Sequence, residues 1–327
     1  MSASGSARLP RTPAFWLVTA VLLVMMFAAA APSPLYVVYQ AHWDFSAGVL
    51  TAVFAVYALF LLLALVTVGG LSDFLGRKPV ILGSVLLEAV SMLLFAEAHS
   101  VGWLFAARAV QGLATGAATG ALAAALVDLQ PPHRPGLGAF ANGAASHGGL
   151  AVGAVGAGLL VEYGPAPRIL VFALLLAGLV LTALALPLIP ETATRRPGAL
   201  TSLTPRIRVP RQARGAFLTA LPALIAVWAL GGLYLSLAPS LTASVLHSTN
   251  HLVGALAIAT LTAAGALGSI AMRGRPARLT LLLGCTTLAA GTLGTLAATL
   301  LHHRPAPAGT HPARPATEAP AEHASSS

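Results

Sequence analysis

The chain has 327 residues, of which 57% are hydrophobic and only 8% are charged, and its formal net charge is +9. A chain with so few charged residues has too little polar surface to form a soluble globule of this length. The composition therefore indicates a multi-spanning membrane protein. The basic excess does not require a nucleic-acid partner, because lysine and arginine collect at the cytoplasmic ends of membrane helices. The single cysteine, Cys285, excludes a disulfide framework and a cysteine-ligated zinc cluster.

Nine apolar segments are each long enough to cross a hydrocarbon core of about 30 Å. They cover residues 15–36, 48–68, 79–98, 101–127, 137–160, 169–189, 217–241, 252–272 and 279–301. Most lysines and arginines fall in cytoplasmic segments if the amino terminus lies inside. We therefore expect a multi-pass protein of the cell (inner) membrane with a cytoplasmic amino terminus and, with nine spans, a carboxyl-terminal tail outside.

The first span begins like a secretory signal, because Arg8 and Arg11 precede an apolar run that reaches the small residues Ala29, Ala30 and Ala31. Pro32 directly follows these small residues and disfavours cleavage. The apolar run also continues to Val38. The sequence therefore favours an uncleaved first helix over a removed leader.

A short charged turn, residues 69–82, separates the second and third spans. Its candidate functional residues are Gly69, Asp73, Gly76, Arg77 and Lys78. The glycines allow two helix ends to approach closely, and the cations must stay at the membrane interface because they are costly deeper in lipid. An ordinary cytoplasmic loop is the alternative, although it does not require this spacing.

The charged turn resembles the signature GxLaDrxGrkxxl of the major facilitator superfamily, with Phe74 in the place of the usual base. The resemblance implies a transporter of two helical halves with a substrate site between them. It also implies that the turn acts in the conformational switch, where Asp73 stabilises the outward-facing state through the opposite half.

The fourth span contains a second resemblance, because Arg108, Gln111, Gly112 and Gly116 match the family's RxxQGxxxG motif. Arg108 and Gln111 are three residues apart and share one helix face. An arginine at this depth needs a carboxylate, a carbonyl or water, so this face should point inward. The resemblance implies a role in proton transfer and coupling, and a snorkelling arginine without that role is the alternative.

Glu88 lies near the middle of the third span, where an ionisable group is expensive and suggests a proton carrier. The resemblance places third helices at the periphery of the bundle. The alternative is therefore a protonated Glu88 that is hydrogen-bonded to a neighbour. Together with Arg108 and Gln111, Glu88 completes the candidate group for proton coupling.

The fifth span is rich in glycine and resembles, in degenerate form, the motif GxxxGPxxGG of drug-efflux members, with Ala154 replacing the proline. Helix packing by small residues explains the same pattern. The candidates for helix packing are Gly112, Gly116, Gly149, Gly153 and Gly158. The candidates for a substrate cavity are Pro32, Tyr36, Asn142, Ser146 and Tyr234.

The fold class that follows is an all-α membrane protein with a major facilitator-type helical bundle, a complete six-helix first half plus three helices of the second half. We expect residues 1–190 to form the first half, 191–214 a basic cytoplasmic linker, 215–301 a partial second half and 302–327 a disordered tail. Because the family has twelve spans, we expect a truncated chain with little transport, whose tail resembles an out-of-frame reading. A natural tail is the alternative.

The function that we expect is secondary active transport of a small molecule by alternating access, with proton-coupled drug efflux by antiport as the favoured subclass. A proton-coupled metabolite carrier would share these features, and a non-transporting truncated or accessory membrane protein is a further alternative. The expected partners are the substrate, protons and the lipid bilayer, without nucleic acid. We expect no enzyme, cofactor or metal, because the sequence lacks HExxH, GxSxG and paired intramembrane aspartates.

Overall fold

The structure, a computed structural model, describes residues 8–203, 211–245, 250–272 and 274–302. Within these ranges the chain is α-helical between short turns and 3₁₀ segments, and it contains no strand. The predicted disordered tail lies outside the described residues except for its first residue, as does the middle of the predicted linker.

Twelve helices are present in the described part of the chain. They are α1 Arg11–Ala30, α2 Pro32–Trp43, α3 Ala47–Thr67, α4 Ser72–Leu75, α5 Arg77–Ala96, α6 Val101–Leu129, α7 Leu137–Tyr163, α8 Pro167–Ala185, α9 Ala199–Ser202, α10 Arg214–Val245, α11 His251–Ala271 and α12 Ala277–His302. Nine segments of this described chain are long and apolar enough to span a membrane, with α1 and α2 together forming the first. The nine-span prediction is confirmed, although the first span continues to Trp43 rather than ending near residue 36.

The chain separates into two compact units, Met1–Leu281 and Leu282–Ser327. In the second unit, the described residues 282–302 belong to α12. In the first unit, α6 packs against α3 and α5, α1 packs against α7, and α5 packs against α8. Helix α11 packs against α7 and α10, and α10 also contacts α2 and α3. The division into a six-helix half, a linker and a partial second half stays a prediction.

The contact between α3 and α6 is close because α6 presents glycine to the backbone of α3. A Cβ atom on Gly112 would lie 2.4 Å from the carbonyl oxygen of Tyr57, and one on Gly116 would lie 2.4 Å from that of Leu61. No side chain fits at these distances. These two glycines therefore fix the separation of the second and fourth spans.

Helix α7 meets α1 in the same way. A Cβ atom on Gly149 would lie 2.6 Å from the carbonyl oxygen of Leu23, and one on Gly153 would lie 2.6 Å from that of Phe27. The fifth span thus packs directly on the backbone of the first. Two glycines of the glycine-rich fifth span therefore lie at this close helix contact.

Candidate functional site

A buried polar network, the Arg108 network, consists of Arg108, Gln111, Glu88 and Tyr36, which are all fully buried. Arg108 Nη1 donates to Gln111 Oε1 at 2.5 Å, and Arg108 Nε donates to the Tyr36 hydroxyl. Gln111 Nε2 donates to Glu88 Oε1 at 2.9 Å. The structure therefore brings together the three residues predicted for proton coupling with one predicted for the cavity.

Two backbone carbonyls of α1 complete the network. Gln111 Nε2 donates to the carbonyl oxygen of Ala28 at 3.0 Å, and Arg108 Nη1 donates to that of Ala29 at 3.1 Å. In an unbroken helix the N–H of residue 32 would bond to Ala28, but Pro32 has no N–H. The buried Pro32 therefore acts on the network through the carbonyl that it frees.

Four aromatic rings surround the Arg108 guanidinium. Its central carbon lies 5.3 Å from the ring centroid of Tyr36, 5.6 Å from Phe54, 5.2 Å from Tyr57 and 5.7 Å from Phe95. Ring faces attract cations, and this attraction is stronger where water is excluded. The rings, the Ala29 carbonyl and the Gln111 amide oxygen thus stabilise a charge that has no direct carboxylate contact within the described residues.

The network links a carboxyl group to a permanent cation through one amide. Gln111 accepts from Arg108 and donates to Glu88, so its orientation follows both partners. An ionised Glu88 balances the guanidinium, whereas a protonated one leaves the positive charge in excess. Uptake of one proton by Glu88 can therefore change both the charge and the hydrogen bonding beside the break in the first span.

The charged turn forms a second cluster at the end of the bundle that we call the Arg77 end. Arg77 Nη1 lies 2.5 Å from Asp73 Oδ1 and 2.7 Å from Ser72 Oγ, and Arg77 Nε lies 3.4 Å from Asp128 Oδ2 at the end of α6. Lys78 Nζ donates to the carbonyl oxygen of Pro187 at 2.8 Å. The turn is thus bound to the ends of α6 and α8.

Glu191 caps the start of α5. Its two carboxylate oxygens accept from the backbone N–H of Arg77 at 2.7 Å and of Lys78 at 3.1 Å, where a helix has unpaired donors. Gly76 has φ +100°, and a Cβ atom there would lie 2.6 Å from Glu191 Oε2. Glycine is therefore required at this position both by the backbone conformation and by the cap.

Sequence reasoning did not identify Asp128 and Glu191 as members of this cluster. A signal was present, since the chain has only nine acidic residues and these two lie at the ends of spans. A carboxylate at such a position is a candidate partner for the cations of the same membrane face. The remaining predicted residue of the turn, Gly69, lies against α6, where a Cβ atom on Gly120 would be 3.2 Å from the Gly69 oxygen.

The predicted cavity residues lie in three places. Pro32 and Tyr36 are buried in or beside the Arg108 network, whereas Asn142 and Ser146 are half-buried on α7. Tyr234 of α10 packs against a small buried cluster. The members of that cluster, from α1, α7, α10 and α11, are Ala30, Ala154, Ala238 and Ile258. Tyr234 therefore lies where the first six spans meet the later ones.

A separate cavity of about 540 Å³ opens at the opposite end of the bundle, which we call the Tyr39 end. Its lining comes from the ends of α2 and α5 and the start of α8, and includes Tyr39, Trp43, Glu97, His99 and Arg168. None of the predicted cavity residues lines it. This cavity belongs to the first six spans alone and is not the region around Tyr234.

Replacing Glu191 by alanine is expected to destabilise the protein by about 1 to 2 kcal/mol, because the start of α5 loses its cap. Glu191→Gln keeps an acceptor oxygen and should lose less. Faster amide hydrogen exchange at Arg77 and Lys78, with a lower melting temperature in detergent, would show the effect. Glu97→Ala, which removes an exposed carboxylate at the Tyr39 end, is the matched control. Unchanged exchange in Glu191→Ala would contradict the capping role.

Comparison with known proteins places this geometry in a family. The Major Facilitator Superfamily model matches residues 14–309. A crystal structure of a bacterial homologue of the human lysosomal transporter Spinster, in an inward-facing and unoccupied conformation, is similar with a TM-score of 0.59. The similarity covers 81% of this chain and 64% of that chain at 15% identity, so it concerns the fold alone.

No curated protein sequence matches the chain. The family model nevertheless extends over the first span, both polar clusters and the later spans. The chain therefore belongs to the Major Facilitator Superfamily and has its all-α helical bundle.

Proposed function

We propose that the protein is a secondary active transporter that exports a small molecule across the cell membrane in exchange for protons. The observation that carries this proposal is the Arg108 network, in which a buried carboxyl group is joined to a buried guanidinium through Gln111. Charged groups inside a membrane protein are expensive and mark ion or proton pathways. In this proposal Glu88 carries the proton, and Arg108 senses its charge.

The coupling step follows from the contacts of the network. Arg108 and Gln111 both bond to carbonyls just before the break at Pro32, and Arg108 also bonds to Tyr36 just after it. A change of charge on Glu88 therefore acts on both sides of the break. Because the first span also packs on α7, this change can bias the bundle between two arrangements.

Alternating access requires contacts that close one end at a time. At the Tyr39 end, Ser240 Oγ of α10 donates to Gln40 Oε1 of α2 at 2.8 Å. Deeper in the bundle, a Cβ atom on Gly232 would lie 2.9 Å from the Phe54 ring. These contacts support a closed Tyr39 end. With the amino terminus in the cytoplasm, the closed end faces outward, and the substrate binds near Tyr234, Asn142 and Ser146.

The test is ethidium transport in proteoliposomes with an imposed pH gradient. The gradient should accelerate ethidium movement by the wild type, whereas Glu88→Gln should transport at a rate that no longer depends on it. Glu97→Gln is the matched control, because Glu97 is exposed at the Tyr39 end. A retained gradient response in Glu88→Gln would exclude Glu88 as the proton carrier, and a wild type indifferent to the gradient would exclude proton coupling of ethidium transport.

A further inference from the structure

The seam between α7 and α11 is a regular antiparallel contact that starts at the Tyr39 end. Glu162 lies against His251 there, and a Cβ atom on Gly158 would lie 2.5 Å from the Cβ of Ala255. Deeper in the bundle, His147 lies against Gly265, where an added Cβ would be 2.9 Å from the His147 ring. The contact therefore extends over about 20 Å of each helix, at about 1.5 Å per residue.

Glu162 holds the outer end of this seam with a single carboxylate oxygen. Its Oε2 accepts from the backbone N–H of His251 at 2.8 Å and lies 2.9 Å from His251 Nδ1. An ionised carboxylate only accepts, so Nδ1 carries the hydrogen of this bond. The two side chains keep 23% and 28% of their surface exposed, for Glu162 and His251 respectively, so protons from the solvent reach them.

We propose that Glu162 and His251 form a positioning pair that keeps the Tyr39 end closed, and that closure becomes tighter when His251 is protonated. The proposal rests on the proposed transport cycle, in which this end must open once per turnover. The pair joins the fifth span to the eighth, so opening the seam breaks both bonds. Protonation of His251 adds an ion pair to the closed arrangement and adds nothing to the open one.

Other groups near α11 determine how specific this effect is. The titratable and charged side chains on the elements packed against α11 are Glu162, Tyr163 and His147 on α7, Tyr36, Tyr39 and His42 on α2, and Tyr234 and Arg214 on α10. Glu162 bonds His251 directly, whereas His147 faces Gly265 and bonds its Nδ1 to the carbonyl oxygen of Gly143. The pH measurement must therefore distinguish the effect of protonating His251 from the effect of protonating His147.

The glutamate also determines the sign of the pH effect. His251 is the first residue of α11, and a cation at a helix start is unfavourable because the amide dipoles point their positive end there. In the wild type the Glu162 carboxylate offsets this repulsion. In Glu162→Ala, lowering the pH should therefore loosen the seam or leave it unchanged. The slower cysteine reaction at low pH, which we expect when Glu162 is present, should be lost in this variant.

The experiment measures opening directly with a cysteine at position 258. Ile258 is fully buried in the cluster with Ala154 and Ala238, so Ile258→Cys removes volume and adds no clash. In a Cys285→Ala background, a membrane-impermeant maleimide is added on the side where Tyr163→Cys, a highly exposed position, reacts. The reaction rate of the cysteine then reports the population of the open seam.

At pH 6 we expect the cysteine at position 258 to react about tenfold faster in Glu162→Ala than with the unmutated Glu162 and His251. The reason is that the bonds of Glu162 to the His251 backbone N–H and ring are both lost. With Glu162 and His251 unmutated, the cysteine at position 258 should react about fivefold more slowly at pH 6 than at pH 8. His251→Gln keeps an amide donor for Glu162 but cannot be protonated, so it should lose this pH dependence. His147→Gln should keep this pH dependence. In Glu97→Gln the cysteine should react at the same rates as with Glu162 and His251 unmutated.

An unchanged reaction rate in both Glu162→Ala and Glu162→Gln would overturn the proposal. So would a pH dependence that survives His251→Gln or disappears in His147→Gln. The measurement uses neither substrate nor a proton gradient, so it separates this proposal from the proposed export activity. If the cysteine reaction rates follow these expectations but the protein shows no proton-driven transport, the export proposal is rejected. The proposal for Glu162 and His251 is then retained.

Discussion

Gly112→Val is expected to prevent normal packing of the first six spans and to cost about 3 kcal/mol or more. The added side chain would begin 2.4 Å from the carbonyl oxygen of Tyr57 and 2.9 Å from the backbone N of Leu61. Backbone atoms cannot rotate away as a flexible side chain does, so α3 as a whole must move. A lower melting temperature and a smaller monodisperse fraction in detergent would report this loss.

The matched control is Gly143→Val on α7, where an added Cβ atom meets nothing within 4 Å. Both variants place valine inside a membrane-spanning helix and carry the same intrinsic change in helix propensity. Only the first should therefore lower the melting temperature strongly. Equal melting temperatures in the two variants would show that the α3 contact does not limit stability.

Gln111→Leu should have the second largest effect, a loss of about 2 to 4 kcal/mol, because it leaves buried polar groups without their partner. Arg108 Nη1 loses one of its two acceptors, and Glu88 Oε1 and the carbonyl of Ala28 lose their donor. Thermal unfolding in detergent measures the loss. Glu88→Gln should be much milder, since its amide oxygen still accepts from Gln111.

A double variant distinguishes this explanation from a simple packing defect. In Gln111→Leu combined with Glu88→Leu, the unpaired carboxyl group is gone, so part of the lost stability should return. Purely steric damage would instead make the double variant less stable than either single one. Equal stability of Gln111→Leu and the wild type would mean that the amide does not hold the network together.

The positions of the spans could be predicted from the sequence, because a membrane helix is determined by length and hydropathy within one segment. The inward face of the fourth span was also readable, since Arg108 and Gln111 share it and both are fully buried. Each of these inferences uses residues that are close along the chain. Local spacing was therefore sufficient.

Contacts between distant segments could not be predicted in this way. Glu191 caps a helix that begins 114 residues earlier, and nothing in the intervening sequence encodes their distance. Glu88 shows the same limit, because the expected peripheral place of the third span did not determine which way one side chain points. The structure turns Glu88 toward α6, where its Oε1 accepts a hydrogen bond from Gln111.

The cap on α5 also sets an order of events during synthesis. Glu191 follows Arg77 by 114 residues, which takes about 6 to 23 s at about 5 to 20 residues per second. The segment around residue 188 likewise receives the hydrogen bond from the amide of Leu9. Until the ribosome has released this segment, the start of the third span and the amino terminus lack these partners. The hydrogen bonds that join these ends of the first six spans can therefore form only after the sixth span has been made.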